Sequence, residues 1–333
     1  MPPEPIIETR NLRKDFRIAS ENSLIAKTFT AVRDVNLSLY PGETFGIVGE
    51  SGCGKSTVAK LIMGLEKPTA GEVYFRGQRM DDMPEHSRRK LRPRFQMVFQ
   101  DSGSSLNPRK RVEDILREPM RYHQIGDARM VDGRVEELLS MVGLPADMKN
   151  RYPHEFSGGQ RQRICIARAL SLNPEVIVLD EPVSALDVSV QAQILNLLRD
   201  LQEKLKLTYI FIGHGLGAVH YVSHRIAVMY MGRIVEMGGS DELFDHPAHP
   251  YTRSLLDAAP SADFAQRGRS RVSLQGEADE NAPEGACPLY PRCPYAREKG
   301  LKVRSWMKPV FKYLVPVCVI ALYIYGLATF QWK

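Results

Sequence analysis

The sequence predicts an α/β fold, because short apolar segments alternate along the chain with segments whose apolar residues recur at helical spacing. Each strand candidate is β-branched or aromatic and closed by polar residues, which is typical of strands buried on both faces of a parallel sheet. The strand candidates are residues 45–48, 96–99, 176–179 and 209–212. The clearest helices are residues 57–65, after the loop that follows the first strand, and residues 191–205.

A mostly helical stretch interrupts this alternation between the second and third strand candidates. Residues 111–148 mix acidic and basic residues, with a break at Gly126 and an end at Gly143 before Pro145. Glycine weakens a helix, and proline cannot continue one. We therefore interpret residues 101–172 as a helical subdomain inserted between two strands.

Length and composition bound the remaining organisation. With 333 residues, 43% of them hydrophobic and 25% charged, the chain can bury a two-lobed core and still carry an appendage. From residue 259 to 285 the composition becomes polar and rich in glycine and proline, which predicts a boundary. We expect a core domain over residues 1–258, an extension over residues 259–300 and a separate segment over residues 301–333.

The formal charge of +6 is concentrated at the carboxy-terminal end. Seven basic residues and one acidic residue follow residue 296, so the first 296 residues are formally neutral. A surface for DNA or RNA should lie on the folded domain itself, so we expect no nucleic-acid partner. The amino terminus lacks the apolar run of a secretory signal, and the five cysteines form no evident disulfide framework. Both features predict a cytoplasmic main body.

A glycine-rich loop with the spacing of a phosphate-binding loop follows the first strand and opens the first helix. Its residues are Gly49, Glu50, Ser51, Gly52, Cys53, Gly54, Lys55, Ser56 and Thr57. Glycines let backbone N–H groups surround phosphate oxygens, and the helix N-terminus adds partial positive charge. We expect Lys55 to contact the β- and γ-phosphates of ATP and Ser56 to bind Mg²⁺, whereas Cys53 is interpreted as a small filler.

Two adjacent carboxylates end the third strand candidate. Asp180 and Glu181 follow an uninterrupted apolar run, and acids at the carboxyl end of a buried strand mark a site. Adjacent side chains point in different directions. We therefore expect Asp180 to face the water shell of the metal ion and Glu181 to act as the general base on the attacking water.

A second phosphate-binding motif begins another predicted helix. It consists of Ser157, Gly158, Gly159 and Gln160. Residues 156–163 resemble the signature loop of the ABC ATPases. Gln100 resembles their Q-loop, residues 184–187 their D-loop and His214 their switch histidine, so that with the phosphate-binding loop five motifs stand in the order of that superfamily.

The resemblance implies a P-loop NTPase core of ABC type with an antiparallel β subdomain, the inserted helical subdomain and a small C-terminal extension. It implies that ATP lies between two subunits and that Ser157–Gln160 and Asp187 contact the ATP of the partner. Gln100 would sense Mg²⁺ and relay to the membrane subunits, and His214 would hold the γ-phosphate and the attacking water. Phe16 is the candidate that stacks on adenine, with a position in the core as the alternative.

Three further stretches, residues 100–109, 151–155 and 249–252, resemble importers of the peptide/nickel type. Residues 64–69 resemble the second of the two ATPase subunits that such transporters pair. The resemblance implies an ATP hydrolase that uses Mg²⁺ and energises import of di- or oligopeptides or a related solute such as nickel. The implied partners are a second ATPase subunit in a heterodimer, two permease subunits and, indirectly, a solute-binding protein, at the cytoplasmic side of the inner membrane.

Cys287 and Cys293 resemble a carboxy-terminal cysteine motif of that family, which can hold an iron–sulfur cluster. A third cysteine would be expected where this chain has Gly300, Cys318 lies inside an apolar segment, and four thiolates are the usual requirement. The incomplete set favours two inert or loosely paired thiols over a cluster.

The chain departs from the family pattern on both sides of the switch histidine. It has Gly213 and Gly215 where Ser and Asp are expected, and glycine loosens the backbone that aims the imidazole. A regulatory nucleotide-binding subunit with little turnover therefore stays open beside an active hydrolase. A soluble ABC-type ATPase that acts on nucleic acid or ribosomes is the alternative from another class. Residues 102–103, where Pro-Tyr is common, are expected to alter the permease contact.

The resemblance ends near residue 300. Residues 313–330 carry no charge over eighteen positions, the lower limit for a bilayer span. A membrane anchor with a cytoplasmic basic flank is one interpretation. A fusion or an altered reading frame is the other.

Overall fold

Two β-sheets of different kinds lie in the first of the two units into which the chain divides. A computed structural model describes residues 4–18, 27–258, 274 and 287–298. The two units are residues 1–262 and 263–333, and each is described by itself. The domain boundaries expected from the sequence stay predictions.

Strands and helices follow one another in the predicted alternating order, and each predicted element of the core is present with ends shifted by at most three residues. The strands are β1 (Ile7–Ile18), β2 (Lys27–Leu39), β3 (Thr44–Val48), β4 (Ala70–Phe75), β5 (Gln78–Arg79), β6 (Phe95–Val98), β7 (Val176–Asp180), β8 (Thr208–Gly213), β9 (Arg225–Tyr230) and β10 (Arg233–Gly239). The helices of this unit are α1 (Lys55–Ile62), α2 (Glu85–Leu91), α3 (Ser102–Ser105), α4 (Val112–Tyr122), α5 (Ala128–Met141), α6 (Gly158–Leu170), α7 (Val188–Leu205), α8 (Leu216–Val222), α9 (Ser240–Asp245) and α10 (Pro250–Ala258).

The larger sheet is parallel except for its edge strand β10. Its order is β10-β9-β3-β8-β7-β6. Every residue of β3, β7 and β8 is buried, which explains their continuous apolar runs. The register pairs Val48 with Gly213 and Asp180 with Ile212. The carboxyl ends of β3, β8 and β7 therefore meet at one edge of the sheet, where the predicted motifs follow.

The smaller sheet is antiparallel, with the order β2-β1-β4-β5, and confirms the antiparallel subdomain. One hydrophobic core combines both sheets with α1. It includes Leu12 and Leu39 from the antiparallel sheet, Phe45 and Ile210 from the parallel sheet and Val58 from α1. Burial of one such side chain stabilises the fold by about 2 kcal/mol, so the two sheets and α1 hold each other in place.

Helices α3 to α6 lie between β6 and β7 and confirm the inserted helical subdomain. The predicted break at Gly126 separates α4 from α5, and Gly143 follows the end of α5. Ile115 and Leu116 of α4 and Leu138 of α5 are buried, so the apolar faces of these helices form a small core of their own.

The second unit is described at residue 274 and over residues 287–298, where a 3₁₀ turn, Tyr290–Arg292, precedes helix α11 (Pro294–Glu298). Among the described residues, no helix combines the length and the apolar character needed to cross a bilayer. The candidate anchor, residues 313–330, lies outside the described residues.

Candidate functional site

The phosphate-binding loop runs from the end of β3 into α1, as predicted. Gly49 and Gly54 have φ values of 156° and 107°, in a region that residues with a Cβ rarely adopt. A Cβ at Gly49 would lie 2.1 Å from the carbonyl oxygen of Met229, and one at Gly54 would lie 2.3 Å from that of Ala31. The backbones of β9 and β2 thus close around the loop, and glycine is required at both positions.

The ammonium of Lys55 lies inside the loop. Its side chain is buried, and Nζ donates to the carbonyl oxygens of Gly49 at 2.9 Å and Glu50 at 2.8 Å. Nζ also lies 3.4 Å from Nδ1 of His214. The loop therefore holds a cation on neutral carbonyl groups. An anionic phosphate oxygen can bind this ammonium as well, because it attracts a cation more strongly than a neutral carbonyl oxygen does.

The other loop residues surround this lysine. Burial raises the pKa of the Cys53 thiol, and the nearby Lys55 charge opposes the shift. A protonated thiol is a poor nucleophile, which agrees with the interpretation of Cys53 as a filler. Ser51 and Gly52 are exposed at the tip of the loop, and Thr57 is half-buried in the first turn of α1.

Ser56 and Asp180 supply two oxygen atoms beside the loop. Oγ of Ser56 donates to Oδ1 of Asp180 at 2.9 Å. Burial raises the pKa of the Asp180 carboxyl, and the bond from Ser56 opposes that shift. The described residues contain no cluster of three or more histidine, cysteine or acidic side chains that could hold a metal ion. A hydroxyl and a carboxylate nevertheless fit Mg²⁺, which keeps several waters and takes few protein ligands beside substrate phosphates.

Glu181 is held between Gln100 and His214. Nε2 of Gln100 donates to Oε2 of Glu181 at 2.7 Å, and Nε2 of His214 contacts Oε1. Because the ammonium of Lys55 can only donate, Nδ1 of His214 is the acceptor and Nε2 carries the proton shared with Glu181. The predicted base and the predicted switch histidine are therefore direct neighbours, and Gln100 bonds to the base. Gln100 also lines a groove of about 680 Å³ together with Ser56 and Asp180.

The backbone turns sharply at Glu181, which separates it from Asp180. Glu181 has a φ of 51°, an uncommon value for a residue other than glycine that costs about 1–3 kcal/mol. Its N–H donates to the carbonyl oxygen of Ile212 at 2.9 Å, and its carbonyl oxygen accepts from Oγ of Ser184 at 3.1 Å. These bonds hold the turn that sends the two carboxylates in different directions.

The glycines beside the switch histidine have different surroundings. Gly213 ends β8, and a Cβ there would lie 2.8 Å from Cγ2 of Val219, so this position is tightly packed. Gly215 precedes α8 with a φ of −78°, and a Cβ there would meet open space. Of the two glycines beside His214, Gly215 is therefore the one whose surroundings leave its backbone room to move.

The signature loop is bonded to its own helix. Ser157 is the exposed N-cap of α6: its Oγ accepts from the N–H of Gln160 at 3.3 Å, and its own N–H donates to Oε1 of Gln160 at 3.0 Å. Gly159 is buried, and a Cβ there would lie 2.4 Å from Cγ1 of Val190 in α7. Within the described part of the chain, no hydrogen bond joins this loop to the phosphate-binding loop. The structure thus brings Lys55 to Glu181 and His214 but leaves the signature loop apart from them.

Two predicted residues stand away from these contacts. Asp187 is exposed at the N-cap of α7 and bonds through its backbone to Gln191. Phe16 is half-buried on β1, opposite Phe29, and packs against the core with the ammonium of Lys14 5.0 Å from its ring centroid. Stacking on adenine and a core position both stay open for Phe16.

One contact with the phosphate-binding loop was missed by the sequence reasoning. The hydroxyl of Tyr251 accepts a hydrogen bond from the N–H of Glu50 at 2.9 Å. Residues 249–252 are part of the resemblance to peptide importers, but their spacing gives no sign of this contact. A tyrosine in a stretch typical of the family was the available signal.

Comparison with known proteins decides the family. The profile described as ABC transporter matches residues 32–184, and the one described as oligopeptide/dipeptide transporter, C-terminal region, matches residues 235–299. The oligopeptide transport ATP-binding protein AppF of Bacillus subtilis (strain 168) is 47% identical over 332 residues, covering 97% of this chain and 98% of AppF. The chain belongs to the oligopeptide-transport family of ABC transporter ATP-binding proteins.

Further similarities agree with this membership. The oligopeptide transport ATP-binding protein OppF of Escherichia coli (strain K12) is 45% identical, over 93% of this chain and 95% of OppF. The dimeric structure of MJ0796, a bacterial ABC transporter cassette, matches with a TM-score of 0.63 and 30% identity, over 70% of this chain and 98% of the cassette. CbiO1 from Clostridium perfringens matches with a TM-score of 0.64 and 27% identity, over 73% of this chain and 92% of CbiO1.

Membership of this family confirms the predicted ABC-type fold and the resemblance to ABC ATPases from which that fold was predicted. The protein is an ATP hydrolase coupled to transport across a membrane, peripheral to the cytoplasmic side of the inner membrane, with permease subunits as partners. The soluble ABC-type ATPase acting on nucleic acid or ribosomes is not favoured.

The second unit carries the cysteine pair. Cys287 and Cys293 are both half-buried and flank the turn Tyr290–Arg292. An iron–sulfur cluster needs four thiolates, and the described part of this unit contains these two cysteines. The two cysteines described in this unit do not supply a complete set of ligands, and the expectation of inert or loosely paired thiols stays a prediction.

Proposed function

We propose that the phosphate-binding loop, residues 49–57, binds ATP in the first half of a site shared by two subunits. The observation that supports this proposal is one chain of contacts, from Lys55 through His214 and Glu181 to Gln100. These residues come from four separate segments of the sequence. They meet because β3, β6, β7 and β8 end at the same edge of the parallel sheet, where open α/β sheets bind ligands.

Each residue of this half has a proposed role. The γ-phosphate accepts a hydrogen bond from Nζ of Lys55, which the carbonyl oxygens of Gly49 and Glu50 hold inside the loop. Ser56 and Asp180 hold Mg²⁺, which when bound neutralises charge on the phosphates. Glu181 accepts the proton of the attacking water once one of its carboxylate oxygens leaves its contact with Gln100 or His214. His214 holds the γ-phosphate and that water.

The second half is proposed to come from another ATPase subunit. Ser157–Gln160 and Asp187 would contact the ATP bound to the partner. The exposure of Ser157 and Asp187 supports this assignment, as does the absence of any hydrogen bond from the signature loop to the phosphate-binding loop among the described residues. The N-terminus of α6, with a serine hydroxyl and the N–H groups of its two glycines, is suited to an anion. Residues 64–69 favour a heterodimer, because they resemble the second of two paired subunits.

The transported solute is proposed to be a di- or oligopeptide or a related solute such as nickel, delivered by a solute-binding protein. The support comes from relatives: AppF and OppF are named for oligopeptide transport, and GsiA of Pectobacterium atrosepticum, 46% identical over 82% of this chain, for glutathione import. Specificity would reside in the permease and the binding protein.

A permease segment is proposed to occupy the groove beside Gln100. The groove of about 680 Å³ is lined by Ser56, Gln100 and Asp180 and by the exposed apolar side chains of Leu65 and Phe99. A segment seated there would touch residues next to the ATP phosphates, so nucleotide and permease could sense each other. An anchor formed by residues 313–330 stays a prediction.

The proposed role of Glu181 is tested by ATP hydrolysis in the complete transporter, reconstituted in lipid vesicles with all its subunits. We expect Glu181→Gln to lower turnover about 100-fold, because it removes the general base, while MgATP still binds. Glu203→Gln, which changes an exposed glutamate of α7, is the matched control and should turn over at the wild-type rate.

Equal rates for Glu181→Gln and wild type would remove Glu181 from the mechanism. Together with slow wild-type turnover, that result would favour the regulatory subunit.

A further inference from the structure

Tyr251 connects the carboxy-terminal part of the first unit to the phosphate-binding loop. The residue lies in α10, within the region 235–299 that is matched by the oligopeptide/dipeptide profile. Its side chain is fully buried, and its hydroxyl accepts the 2.9 Å hydrogen bond from the N–H of Glu50. A loop residue is therefore bonded to a helix some 200 positions later in the chain.

Glu236 on β10 fixes the start of α10 and with it the position of Tyr251. Its carboxylate accepts from the N–H groups of Ala248 at 2.7 Å and His249 at 3.0 Å, and from the hydroxyl of Thr252. Ala248 and His249 directly precede α10, so this carboxylate holds the segment that leads into the helix. Its bond from Thr252 ties the first turn of the helix to the strand. Thr252 is fully buried, so its bond to Glu236 is shielded from water.

Tyr230 at the end of β9 supports the ring of Tyr251 from the sheet. The two ring centroids are 4.5 Å apart, at an angle of 51°. Burial raises the pKa of the Tyr251 hydroxyl, so it remains a neutral hydroxyl group at physiological pH. We call Tyr230, Glu236, Tyr251 and Thr252 the brace.

The brace acts on one peptide group of the phosphate-binding loop. The N–H of Glu50 and the carbonyl of Gly49 belong to the same peptide unit, which is planar. Its N–H points to Tyr251, and its carbonyl oxygen accepts the hydrogen bond from Nζ of Lys55. Fixing the N–H therefore fixes the plane, and the plane fixes the carbonyl that positions the ammonium.

We propose that Tyr251 is a positioning residue for ATP binding, which acts by holding the 49–50 peptide plane and through it Lys55. This inference rests on the proposed ATP site. Without the hydroxyl, the N–H of Glu50 loses its partner and the peptide is free to turn toward water. The loop then samples arrangements in which Lys55 no longer meets the phosphates.

The test is equilibrium binding of MgATP to the full 333-residue chain, combined with urea unfolding in the absence of nucleotide. We expect Tyr251→Phe to raise the Kd about tenfold, since loss of one buried hydrogen bond has an effect of that order. The matched control is Tyr209→Phe. Tyr209 is also buried, and among the described residues its hydroxyl has no hydrogen-bond partner. The Kd of Tyr209→Phe for MgATP should therefore stay within about twofold of wild type.

A second variant keeps the proposal open to test if Tyr251→Phe does not fold. Glu236→Gln weakens the tie at the start of α10 and should raise the Kd about threefold. A Kd equal to that of Tyr209→Phe, with or without a lower unfolding midpoint, would show a structural role alone and overturn the proposal.

Lys55→Ala separates this proposal from the ATP site on which it rests. If Lys55→Ala loses MgATP binding and Tyr251→Phe does not, the brace fails and the site stands. If Lys55→Ala binds MgATP as wild type does, the proposed ATP site fails.

Discussion

The phosphate-binding loop and the signature loop are both glycine-rich turns that begin a helix, yet their contacts are opposite. Around the first loop, Lys55 is buried and hydrogen-bonded to two carbonyl groups, and strands β2 and β9 close over the glycines. In the second loop, Ser157 is exposed and bonds to Gln160 three residues ahead.

The difference indicates what each loop needs from the rest of the molecule. The first loop is shaped by contacts with distant parts of its own chain, so we expect it to bind a nucleotide without a second subunit. The second bonds within its own helix, and in the described part of the chain no hydrogen bond joins it to the first loop. We therefore expect a site that uses both loops to require a second subunit.

The largest expected effects distinguish the two loops, because a variant in each loop should fail in a different assay. Lys55→Ala should weaken MgATP binding to the isolated chain at least about 100-fold, since it removes a charge-assisted hydrogen bond to phosphate. Ser157→Ala should leave that binding within about twofold of wild type and lower ATP hydrolysis by the assembled transporter about 100-fold, as loss of one charge-stabilising donor does. Isothermal titration and steady-state hydrolysis measure the two quantities.

Ser157→Asp controls for the loss of the helix cap. Aspartate is a good N-cap, but its charge opposes a phosphate. Hydrolysis restored by Ser157→Asp would reduce the role of Ser157 to capping and contradict the difference between the loops.

A smaller effect concerns the packing that orients the signature loop. Gly159→Ala places a Cβ 2.4 Å from Cγ1 of Val190 and should destabilise the chain by about 1–3 kcal/mol through overpacking. Gly217→Ala, where a Cβ meets open space on α8, should be neutral or stabilising. Urea unfolding measures both.

Adding Val190→Ala should recover much of the loss in Gly159→Ala. If Val190→Ala recovers no stability, contact between α6 and α7 does not fix the position of the signature loop.

The smallest effect concerns the switch histidine. Gly215 has the extended backbone of an N-cap without a side chain to accept the bond. Gly215→Asp should stabilise α8 by about 0.3 kcal/mol and raise turnover modestly by holding His214. Gly215→Ala lacks the accepting oxygen. It should not reproduce the gain in thermal stability or in hydrolysis rate, and an equal gain would mean that chain stiffness alone matters.

The sequence predicted what local patterns determine. The spacing of glycines around Lys55, the two acids that end a buried strand and the serine with paired glycines each stand within a few residues, and their chemistry could be inferred directly. Buried strands were recognisable because burial on both faces demands an uninterrupted apolar run. The start of α1 was placed two residues late, since the buried face of a helix does not mark its first turn.

Contacts that depend on tertiary pairing could not be predicted in this way. The bond from Gln100 to Glu181 requires β6 and β7 to lie side by side although the whole helical subdomain separates them in sequence. The bond from Glu50 to Tyr251 requires α10 to return to the loop. Phe16 stays undecided because a half-buried aromatic on β1 suits either a core or a stacking surface.

We propose that the phosphate-binding loop and the signature loop of one site belong to different subunits of a dimer. The most direct measurement is the ATP hydrolysis rate per chain, followed as the concentration of the purified chain rises and as the second ATPase subunit is added. We expect a very low rate for the dilute chain. The rate should rise with the concentration of the chain and with the added second subunit, but not when that subunit lacks its own signature serine. A constant rate per chain, independent of concentration and partner, would contradict it.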